Sequence, residues 1–464
     1  MKYAFAISLL LAMLLSPVGV SAQESQPDEP VYIVQPGDIL WDIALRFGVS
    51  LQDLEDANQI TDPNQIAVGD QLVIPGLQGV HGILTTETVG FGETLTSLSR
   101  RFQVPENLLV RLNRLTSPEE LYAGANLIIP QQDEAPPAGQ RAVLAPGQSL
   151  LELAVSQGAN PWDLVARNEL SGTWSAIAGD VLRVPGESEA DSPGALPPAI
   201  SRIEVKPLPL VQGKAAVVHV LGQEGLTLGG DIAGKELHFF SQASGDYVAL
   251  QGVHAMTEPG QYPLLVTGTL PGGLTFNFVQ NVFVKGGDYP YDPTLEVNPE
   301  TIDPAVTEPE QAEWEALAAS FSPVKQWQGI FGSPVPSEFS DCFPSRFGNR
   351  RSYNGGPYET FHTGLDFCGD VGTEIYAPAA GTVVFAGPLT VRGNATVIDH
   401  GWGVYSGYLH QSKILVKPGD HVEKGQIIGL VGNTGRVTGP HLHWEIFVGG
   451  IQVDPMDWLK QAYP

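Results

Sequence analysis

The feature that most constrains this chain is a pattern that occurs three times in its N-terminal part. Four positions, in the order Gly, Asn, Gly and Pro, keep spacings of 21, 11 and 6 residues, and each set begins 55 residues after the one before it. A fixed period is the sequence signature of one structural unit used repeatedly. Three copies of a small module are therefore predicted, at Gly37, Asn58, Gly69 and Pro75, at Gly92, Asn113, Gly124 and Pro130, and at Gly147, Asn168, Gly179 and Pro185.

Each copy is predicted to form a strand, two helices and a closing strand. In the first copy, VYIVQ is typical of a strand, and apolar residues at helical spacing run from Leu40 to Phe47, with Asp38 as the expected N-cap. Ser50 is placed to cap the second helix, and QLVIP closes the copy. In the third copy, Asn160 followed by a proline is an independent helix start at the matching place.

The three copies resemble the LysM module, over residues 31–76, 83–130 and 141–185. PGDILWDIALRFGVS carries the family pattern in the first copy and FGETL carries part of it in the second, whereas the third has Gln148 where an acidic residue would follow the glycine. LysM modules bind glycans that contain N-acetylglucosamine, so the resemblance implies a peptidoglycan or chitin ligand, with tandem copies raising the avidity. For the divergent third copy, a role as a spacer stays open beside a role in binding.

The charge balance excludes one class of partner. The chain has 24 Lys and Arg residues against 51 Asp and Glu residues, a formal charge of −27. A nucleic-acid backbone needs a basic surface, so no nucleic-acid partner is expected. Residues 326–464 hold 9 basic and 12 acidic side chains, a net charge of −3, so the C-terminal part is nearly neutral and most of the negative charge lies before it.

Residues 1–22 are predicted to be a secretory signal peptide. One lysine precedes an apolar run from Ala4 to Leu15, and the small residues before Gln23 suit a cleavage site. The run is shorter than the roughly 20 residues of a spanning helix, so we expect no stable membrane insertion after cleavage. The expected location is the cell envelope, as cell wall or periplasm, or the outside of the cell. In that oxidising setting the two cysteines, Cys342 and Cys368, would form a disulfide or remain buried thiols.

The middle of the chain is predicted to be a sandwich-like all-β domain between linkers. Residues 186–199 are rich in Pro, Gly and acidic side chains, which is typical of an extended spacer. Short apolar runs separated by Gly and Pro turns fill residues 200–285, the pattern of an all-β sandwich. Residues 286–322 are expected to be a linker with a short helix from about residue 308 to 320. The part of it that is rich in Pro and acidic residues, Tyr289 to Glu310, could pack over an active-site cleft and hold it latent, but a plain tether is the favoured interpretation.

The histidines near the C-terminus predict a metal site. His362 and Asp366 are four residues apart, and His441 and His443 are two apart within a run of strand-forming residues. Residues i and i+2 of a strand share a face, so both imidazoles can point into one cleft. Two imidazoles and a carboxylate are suitable ligands for Zn²⁺, and three protein ligands leave a fourth position for water. The pattern therefore predicts a catalytic zinc site.

The same region resembles the M23 peptidoglycan metallopeptidases of the lysostaphin or LytM type. The motifs HTGLDF, YLH, VKPGDHVEKGQIIGLVGNTG and TGPHLHWE carry this resemblance over about residues 323–456. It implies a C-terminal zinc peptidase domain, residues 323–464, built mainly from antiparallel β-strands. The fold class predicted for the whole chain is thus multidomain: three β-α-α-β LysM modules, a sandwich-like β domain and the peptidase domain.

The resemblance also implies a role for each residue of the site. The implied zinc ligands are His362, Asp366 and His443, and the implied catalytic histidines are His410 and His441. One of the two catalytic histidines would act as general base and the other would donate a hydrogen bond to the oxyanion, and which does which stays open. His400 matches a further family histidine and is assigned no chemistry.

The function predicted is that of an exported zinc endopeptidase that hydrolyses peptide bonds in peptidoglycan stems or cross-links and is held to the glycan by its LysM modules. The alternative is a catalytically silent LytM-like protein that binds the wall and activates another hydrolase. A biotinyl or lipoyl carrier is rejected because the relevant hairpin, GNTGRVTG, has no lysine to modify. Four arginines could contact substrate carboxylates or simply face solvent: Arg346, Arg350, Arg351 and Arg392.

Overall fold

A computed structural model describes residues 29–77, 80–102, 104–117, 120–131, 140–145, 147–168, 170–177, 180–186 and 196–464. The predicted signal peptide and most of the predicted 186–199 linker lie outside the described residues. The described residues up to Thr85, with Pro130 and Gln131, form one compact unit, and the others form a second. Within the described part of the chain, every helix is too short or too polar to cross a bilayer.

Each repeat copy follows the predicted order of strand, helix, helix and strand. The elements are β1 (Val31–Ile33), α1 (Leu40–Phe47), α2 (Leu51–Asn58) and β2 (Gln71–Val73); β3 (Ile83–Thr88), α3 (Leu95–Phe102), α4 (Glu106–Asn113) and β4 (Asn126–Pro130); and β5 (Gln140–Val143), α5 (Leu150–Ser156), α6 (Pro161–Arg167) and β6 (Val181–Val184). In the first and third copies the two strands pair antiparallel.

The asparagine of the repeat ties the second helix of each copy to its closing strand. The side-chain amide of Asn58 donates to the carbonyl oxygens of Leu54 and Val73, each at 2.8 Å, and its oxygen accepts from the Val73 backbone N–H at 2.7 Å. Asn113 and Asn168 make the same three bonds to the matching residues of their own copies. Buried backbone groups need partners, and one side chain supplies three of them here.

The helix caps agree with the sequence at two of the three predicted positions. The Ser50 hydroxyl accepts from the backbone N–H of Asp53, and the Asn160 side chain accepts from the backbone N–H of Trp162. Asp38 as the N-cap of α1 is wrong, because α1 starts at Leu40 and its preceding residue makes no side-chain cap. The Asp38 carboxylate instead accepts from the Gln35 backbone N–H at 2.8 Å, which closes the turn before the helix.

The middle of the chain is a sandwich of two β-sheets. Its strands are β7 (Ile200–Lys206), β8 (Leu210–Val211), β9 (Ala215–Gly222), β10 (Thr227–Ile232), β11 (Lys235–His238), β12 (Phe240–Ala243), β13 (Asp246–Gly252), β14 (Gly260–Thr269) and β15 (Thr275–Lys285). One sheet has the order β11-β10-β14-β15-β8 and the other has the order β12-β13-β9-β7. Buried valines from both sheets, among them Val218, Val266 and Val282, form the shared core.

The sandwich is joined to the C-terminal domain through a common core. Ala215 and Leu250, on β9 and β13, belong to the same buried cluster as Val448 and Val453 of that domain. At the edge of this contact, the Lys214 ammonium lies 2.9 Å from a carboxylate oxygen of both Asp454 and Asp457. Since apolar residues of both domains pack together, the β sandwich and the C-terminal domain share one hydrophobic core.

The segment expected to be a plain tether is a packed part of the C-terminal domain. A 3-10 helix (Pro299–Ile302) leads into α7 (Pro304–Leu317), which starts earlier than predicted because the Asp303 carboxylate caps it and a proline fills its first position. Trp314 of α7 is only 1% exposed and packs on the main sheet of the domain. The tether interpretation is therefore wrong.

A buried carboxylate fixes α7 in place. Glu310 accepts hydrogen bonds from the backbone N–H groups of residues 390–392 at 2.7 to 3.0 Å, and from the guanidinium of Arg392 at 3.1 Å. A buried carboxylate is costly unless such donors satisfy it. Because Glu310 is 7% exposed and satisfied only in this position, α7 cannot leave the domain without leaving those donors unpaired.

The C-terminal domain is built from antiparallel strands around one large sheet. The elements are β16 (Arg350–Arg351), β17 (Thr360–Phe361), β18 (Leu365–Phe367), β19 (Glu374–Tyr376), β20 (Gly381–Leu389), β21 (Gly393–Gly401), β22 (Val404–Gln411), β23 (Lys413–Ile414), β24 (His421–Val422), β25 (Ile427–Leu430), β26 (Leu442–Val448), β27 (Ile451–Val453) and α8 (Pro455–Trp458). The main sheet has the order β18-β26-β22-β21-β20-β24, with β27 beside β26. A disulfide joins Cys342 to Cys368, next to the start of the domain's sheet.

Candidate metal centre

Strand pairing brings the predicted ligand residues together. β18 and β26 are antiparallel neighbours in which Asp366 lies directly opposite His443. β22 flanks β26 on its other side, with Leu409 opposite His443, so that His410 follows at the same level of the sheet. His362 comes just before β18. All these side chains are largely buried, which shields the centre from solvent.

Three atoms converge at the centre. His362 Nε2 lies 3.0 Å from Asp366 Oδ1 and 2.9 Å from His443 Nδ1, and His443 Nδ1 lies 2.9 Å from Asp366 Oδ1. Within the described residues, these three side chains are the group of His, Cys, Asp and Glu donors close enough to hold one metal ion. They are the three that the sequence resemblance implied.

One ring nitrogen of each imidazole is engaged on the side away from the centre. His362 Nδ1 lies 2.8 Å from the carbonyl oxygen of Arg346, and His443 Nε2 lies 3.0 Å from Glu445 Oε1. A carbonyl or carboxylate oxygen only accepts, so each of these nitrogens carries the proton. With their protons on the outer nitrogens, His362 Nε2 and His443 Nδ1 would be free to bind a cation together with Asp366 Oδ1, a set of three ligand atoms that suits Zn²⁺.

The charges around the centre favour a cation there. Burial opposes ionisation of Asp366, but the adjoining His362 and His443 outweigh it and hold the pKa of this carboxyl well below its usual value. Burial would lower the pKa of His443, yet its bonds to Asp366 and Glu445 raise it to about 8. For His362, burial dominates and lowers the pKa to about 4. Two ionised carboxylates thus attract positive charge to one small buried space.

His410 and His441 are oriented in the same way beside the centre. His410 Nδ1 lies 2.8 Å from the carbonyl oxygen of Thr434, and His441 Nδ1 lies 2.8 Å from that of Gly439. Both rings therefore carry their proton on Nδ1 and turn an unprotonated Nε2 toward the cavity. The ring centroids of His410 and His441 are 5.1 Å apart, and His441 Nε2 is 3.7 Å from Asp366 Oδ1. His410 holds this position with a left-handed backbone, φ 64°.

His400 and His421 stand apart from this group. His400 is completely buried, and both of its ring nitrogens are engaged, with the carbonyl oxygen of Ala380 and the hydroxyl of Ser406, each at 2.8 Å. Burial lowers the pKa of His400 to about 4. His421 lies on the short strand β24 with an exposed side chain. Neither imidazole offers a free nitrogen to the centre.

Glu445 also belongs to the centre, although it was not among the residues predicted from the sequence. Its Oε1 accepts from His443 Nε2 at 3.0 Å and from the Thr363 hydroxyl at 2.5 Å, and its Oε2 accepts from the indole N–H of Trp314 at 2.8 Å. Burial would raise the pKa of this carboxyl, but His443 outweighs that effect and lowers it to about 2. A signal was present, because Glu445 is two residues after His443 on β26 and so shares its face.

The four arginines have different environments. Arg351 lies closest to the centre, 3.7 Å from Asp366 Oδ2, and lines the cavity in front of it. Arg392 is buried against the carboxylate that fixes α7. Arg350 donates to the carbonyl oxygen of residue 255, and Arg346 lies over an aromatic ring. Of these four side chains, Arg351 and Arg392 line this cavity, and Arg351 is the one beside Asp366.

A cavity of about 1030 Å³ opens in front of the centre. It is lined by the histidines and Asp366 of the centre and by polar side chains of α7, among them Glu308, Gln311 and Glu315. The space is large enough for a peptide segment of several residues. The cavity thus places side chains of α7 opposite the centre.

The family matches agree with this geometry. Residues 360–455 match the model described as Peptidase family M23, and residues 32–75 and 88–130 match the LysM domain. The chain thus contains an M23 metallopeptidase domain and LysM domains. The LysM model matches the first two of the three repeat copies, so the predicted count of three modules rests on the repeat spacing and on the Asn168 bonds alone.

The relatives are similar to this chain over about a fifth of its length. The chain is 52% identical over 95 residues to the peptidoglycan DD-endopeptidase ShyA of Vibrio cholerae, which is 20% of this chain and 22% of ShyA. It is 43% identical over 95 residues to the DD-carboxypeptidase/endopeptidase Mpg of Neisseria meningitidis, again 20% of this chain and 22% of the relative. The chain thus matches about a fifth of the length of these curated relatives.

Among solved structures, a putative peptidase M23 from Pseudomonas aeruginosa is 30% identical to this chain. That similarity covers 55% of this chain and 96% of the other, with a TM-score of 0.41.

Proposed function

We propose that this chain is a zinc-dependent endopeptidase that hydrolyses peptide bonds in peptidoglycan stems or cross-links. One observation carries the proposal: two imidazole nitrogens and a carboxylate oxygen converge within 3.0 Å of one another, and His410 and His441 line the cavity beside them with Nδ1 engaged by a carbonyl oxygen. The zinc ligands in this proposal are His362, Asp366 and His443. ShyA is named a peptidoglycan DD-endopeptidase and Mpg a DD-carboxypeptidase/endopeptidase, and these names support peptidoglycan as the substrate and a D,D peptide bond as the one cleaved.

When bound, a zinc ion would supply Lewis-acid chemistry that polarises the scissile carbonyl and lowers the pKa of water. The chain's own residues manage the proton. His441 is the better general base, because its Nε2 faces Asp366 at 3.7 Å, where a carboxylate stabilises the imidazolium that forms. Burial and the adjacent His441 and His443 lower the pKa of His410 well below its usual value, so His410 stays a neutral group that positions the substrate.

Attachment to the glycan is assigned to the repeat copies. Two of them match the LysM domain, and the third has the same asparagine anchor between helix and strand, so all three are proposed to be LysM modules of one fold. Tandem copies raise the effective concentration of the peptidase domain on its polymer without any new contact. The proposed location is the cell envelope, reached by export through the signal peptide at residues 1–22.

Digestion of purified peptidoglycan tests the proposed function. The wild-type protein loaded with zinc should release fragments whose masses show a cleaved cross-link or stem peptide, and a chelator should stop the release. A silent regulator would give no fragments alone, even with a full zinc content, yet would raise the rate of a second wall hydrolase added to the same sample. That second result would overturn the proposed enzymatic activity.

A further inference from the structure

Glu445 links a helix outside the family-matched residues to the metal centre. Its Oε1 bonds to the outer nitrogen of His443, and its Oε2 bonds to the indole of Trp314 on α7, 131 residues earlier in the chain. Glu445 is 1% exposed and Trp314 is 1% exposed, so water competes for neither bond. A buried hydrogen bond between a metal-ligating histidine and a carboxylate fixes the orientation and the tautomer of the ring.

The donors around Glu445 require a carboxylate and not another polar group. The outer N–H of His443, the hydroxyl of Thr363 and the indole N–H of Trp314 all point at this one side chain, and they occupy both of its oxygens. A carboxylate accepts at both oxygens, whereas an amide accepts at one and donates at the other. Any amide in this place therefore faces at least one donor with a donor of its own.

We propose that Glu445 is a positioning residue that holds His443 in the tautomer with Nδ1 free for zinc, and that Trp314 of α7 holds Glu445 in turn. The proposal deepens the proposed function, because it rests on His443 being a zinc ligand. Zinc affinity then depends on a side chain of the helix that precedes the M23 match, although Trp314 does not contact the centre itself.

The substitution Glu445→Gln introduces an amide that cannot accept hydrogen bonds from all of these donors. If the amide oxygen faces His443, the amide NH₂ faces the indole N–H of Trp314. If the amide is turned over, its NH₂ faces His443 and favours the tautomer with the proton on Nδ1, which blocks the zinc ligand. We expect zinc affinity to fall by about 10- to 100-fold, the usual effect of removing a second-layer partner.

A second substitution should relieve that conflict. Trp314→Phe keeps a buried ring but removes the indole N–H, so the amide introduced by Glu445→Gln can turn its NH₂ toward the vacated side and keep its oxygen on His443. Trp314→Phe alone should weaken zinc binding by roughly 3-fold, because one hydrogen bond to Glu445 is lost. The double variant should then bind zinc more tightly than Glu445→Gln alone, which no purely additive effect produces.

The experiment measures zinc affinity of the full chain by competition with a chromophoric chelator, without any substrate. Trp327→Phe is the matched control, since the indole N–H of this equally buried tryptophan donates to the carbonyl oxygen of Tyr463, away from the centre, at 2.8 Å. The control should bind zinc as the wild type does. ¹⁵N chemical shifts of the histidine rings should show Nε2 of His443 protonated in the wild type and in the double variant.

The outcomes separate this inference from the proposed function. Wild-type affinity in Glu445→Gln, or a double variant that binds no more tightly than Glu445→Gln, overturns the positioning role. Should Glu445→Gln fail to fold, equal affinities of Trp314→Phe and Trp327→Phe overturn it instead. If His443→Ala binds zinc as tightly as the wild type, the metal centre itself is wrong and the proposed function fails with it.

Discussion

The repeat copies and the peptidase domain treat a buried polar side chain in opposite ways. In a repeat copy, Asn168 is 3% exposed, and both donors of its amide and its oxygen are bonded to the backbone. At the metal centre, His362 and His443 are just as buried, but each bonds outward through one nitrogen and leaves the other facing its neighbours. A buried side chain whose polar atoms all have backbone partners stabilises the fold. A buried side chain with one polar atom turned toward other ligand atoms is available to bind a ligand.

His400 extends the comparison into the peptidase domain. It lies within the same sheet as the centre, yet both of its nitrogens have partners, as in the repeat asparagines. Residue type alone would group it with the other histidines. Because both of its ring nitrogens have partners, we group His400 with Asn168 as a structural residue.

Removal of the central carboxylate should have the largest effect on the metal centre. Asp366→Ala deletes the negative ligand and leaves two imidazoles, so the variant should lose zinc and its cleavage of peptidoglycan should fall below detection. Zinc content measured by atomic spectroscopy and fragment release from purified walls check this. A variant that keeps both zinc and activity would remove the basis of the metal centre.

Removal of a half-satisfied histidine outside the ligand set should separate metal binding from turnover. His441→Ala should keep its zinc, because the three ligand atoms are untouched, while the rate should fall by about 10²- to 10⁴-fold with loss of the general base. Zinc content and rate are measured on the same preparation. Equal zinc contents in His441→Ala and Asp366→Ala would contradict the assignment of ligand and base.

The buried His400, with partners on both ring nitrogens, should affect the pH dependence of stability rather than the activity. Burial lowers its pKa from 6.5 to about 4, so the folded protein favours the neutral ring. The resulting stability is full above pH 6.5 and is lost as the pH falls toward 4, up to about 3 kcal/mol. His400→Gln cannot titrate, so its melting temperature should fall less than that of the wild type between pH 7 and pH 4.5.

The two melting temperatures are compared as differences, which cancels the titration of all other groups. Parallel decreases of the wild type and of His400→Gln on acidification would show that the buried ring does not control this pH dependence.

The smallest expected effect concerns the saturated asparagine. Asn168→Ala leaves the backbone N–H of Arg183 and two carbonyl groups without their partner, which should cost about 1–3 kcal/mol in the local stability of that copy. Hydrogen exchange of the β6 amides should become faster, while zinc content and the cleavage of soluble peptides stay unchanged. A change in the zinc affinity of this variant would contradict a purely structural role of Asn168.

Much of the molecule could be predicted from short-range patterns. The period of the repeat predicted three β-α-α-β copies because spacing between Gly, Asn and Pro reflects turns and an anchor within one copy. The histidine and aspartate spacings predicted which side chains converge, since a strand places alternate residues on one face. The disulfide between Cys342 and Cys368 was one of two open alternatives, and the structure decides for it.

What the sequence could not supply depends on contacts between distant segments. Trp314 meets Glu445 across 131 positions, and Glu310 meets the backbone of residues 390–392, and no local pattern in the sequence predicts either contact. The tether interpretation failed for this reason. A composition rich in Pro and acidic residues predicts an extended spacer, and it does not reveal the buried partners that α7 has in distant segments. The expected N-cap at Asp38 failed on a smaller scale, as the carboxylate found a turn to close before the helix began.

The buried contacts of α7 bear on how such an enzyme can be recombined with other proteins. A graft that starts at Thr360, where the family match begins, would leave behind the indole that supports Glu445 and the carboxylate that fills the backbone pocket at residues 390–392. Gene fusions, natural or engineered, that carry the hydrolytic unit to a new anchor should therefore start no later than Asp303. The segment that has to be transferred as one piece is therefore longer than the family-matched residues, 360–455.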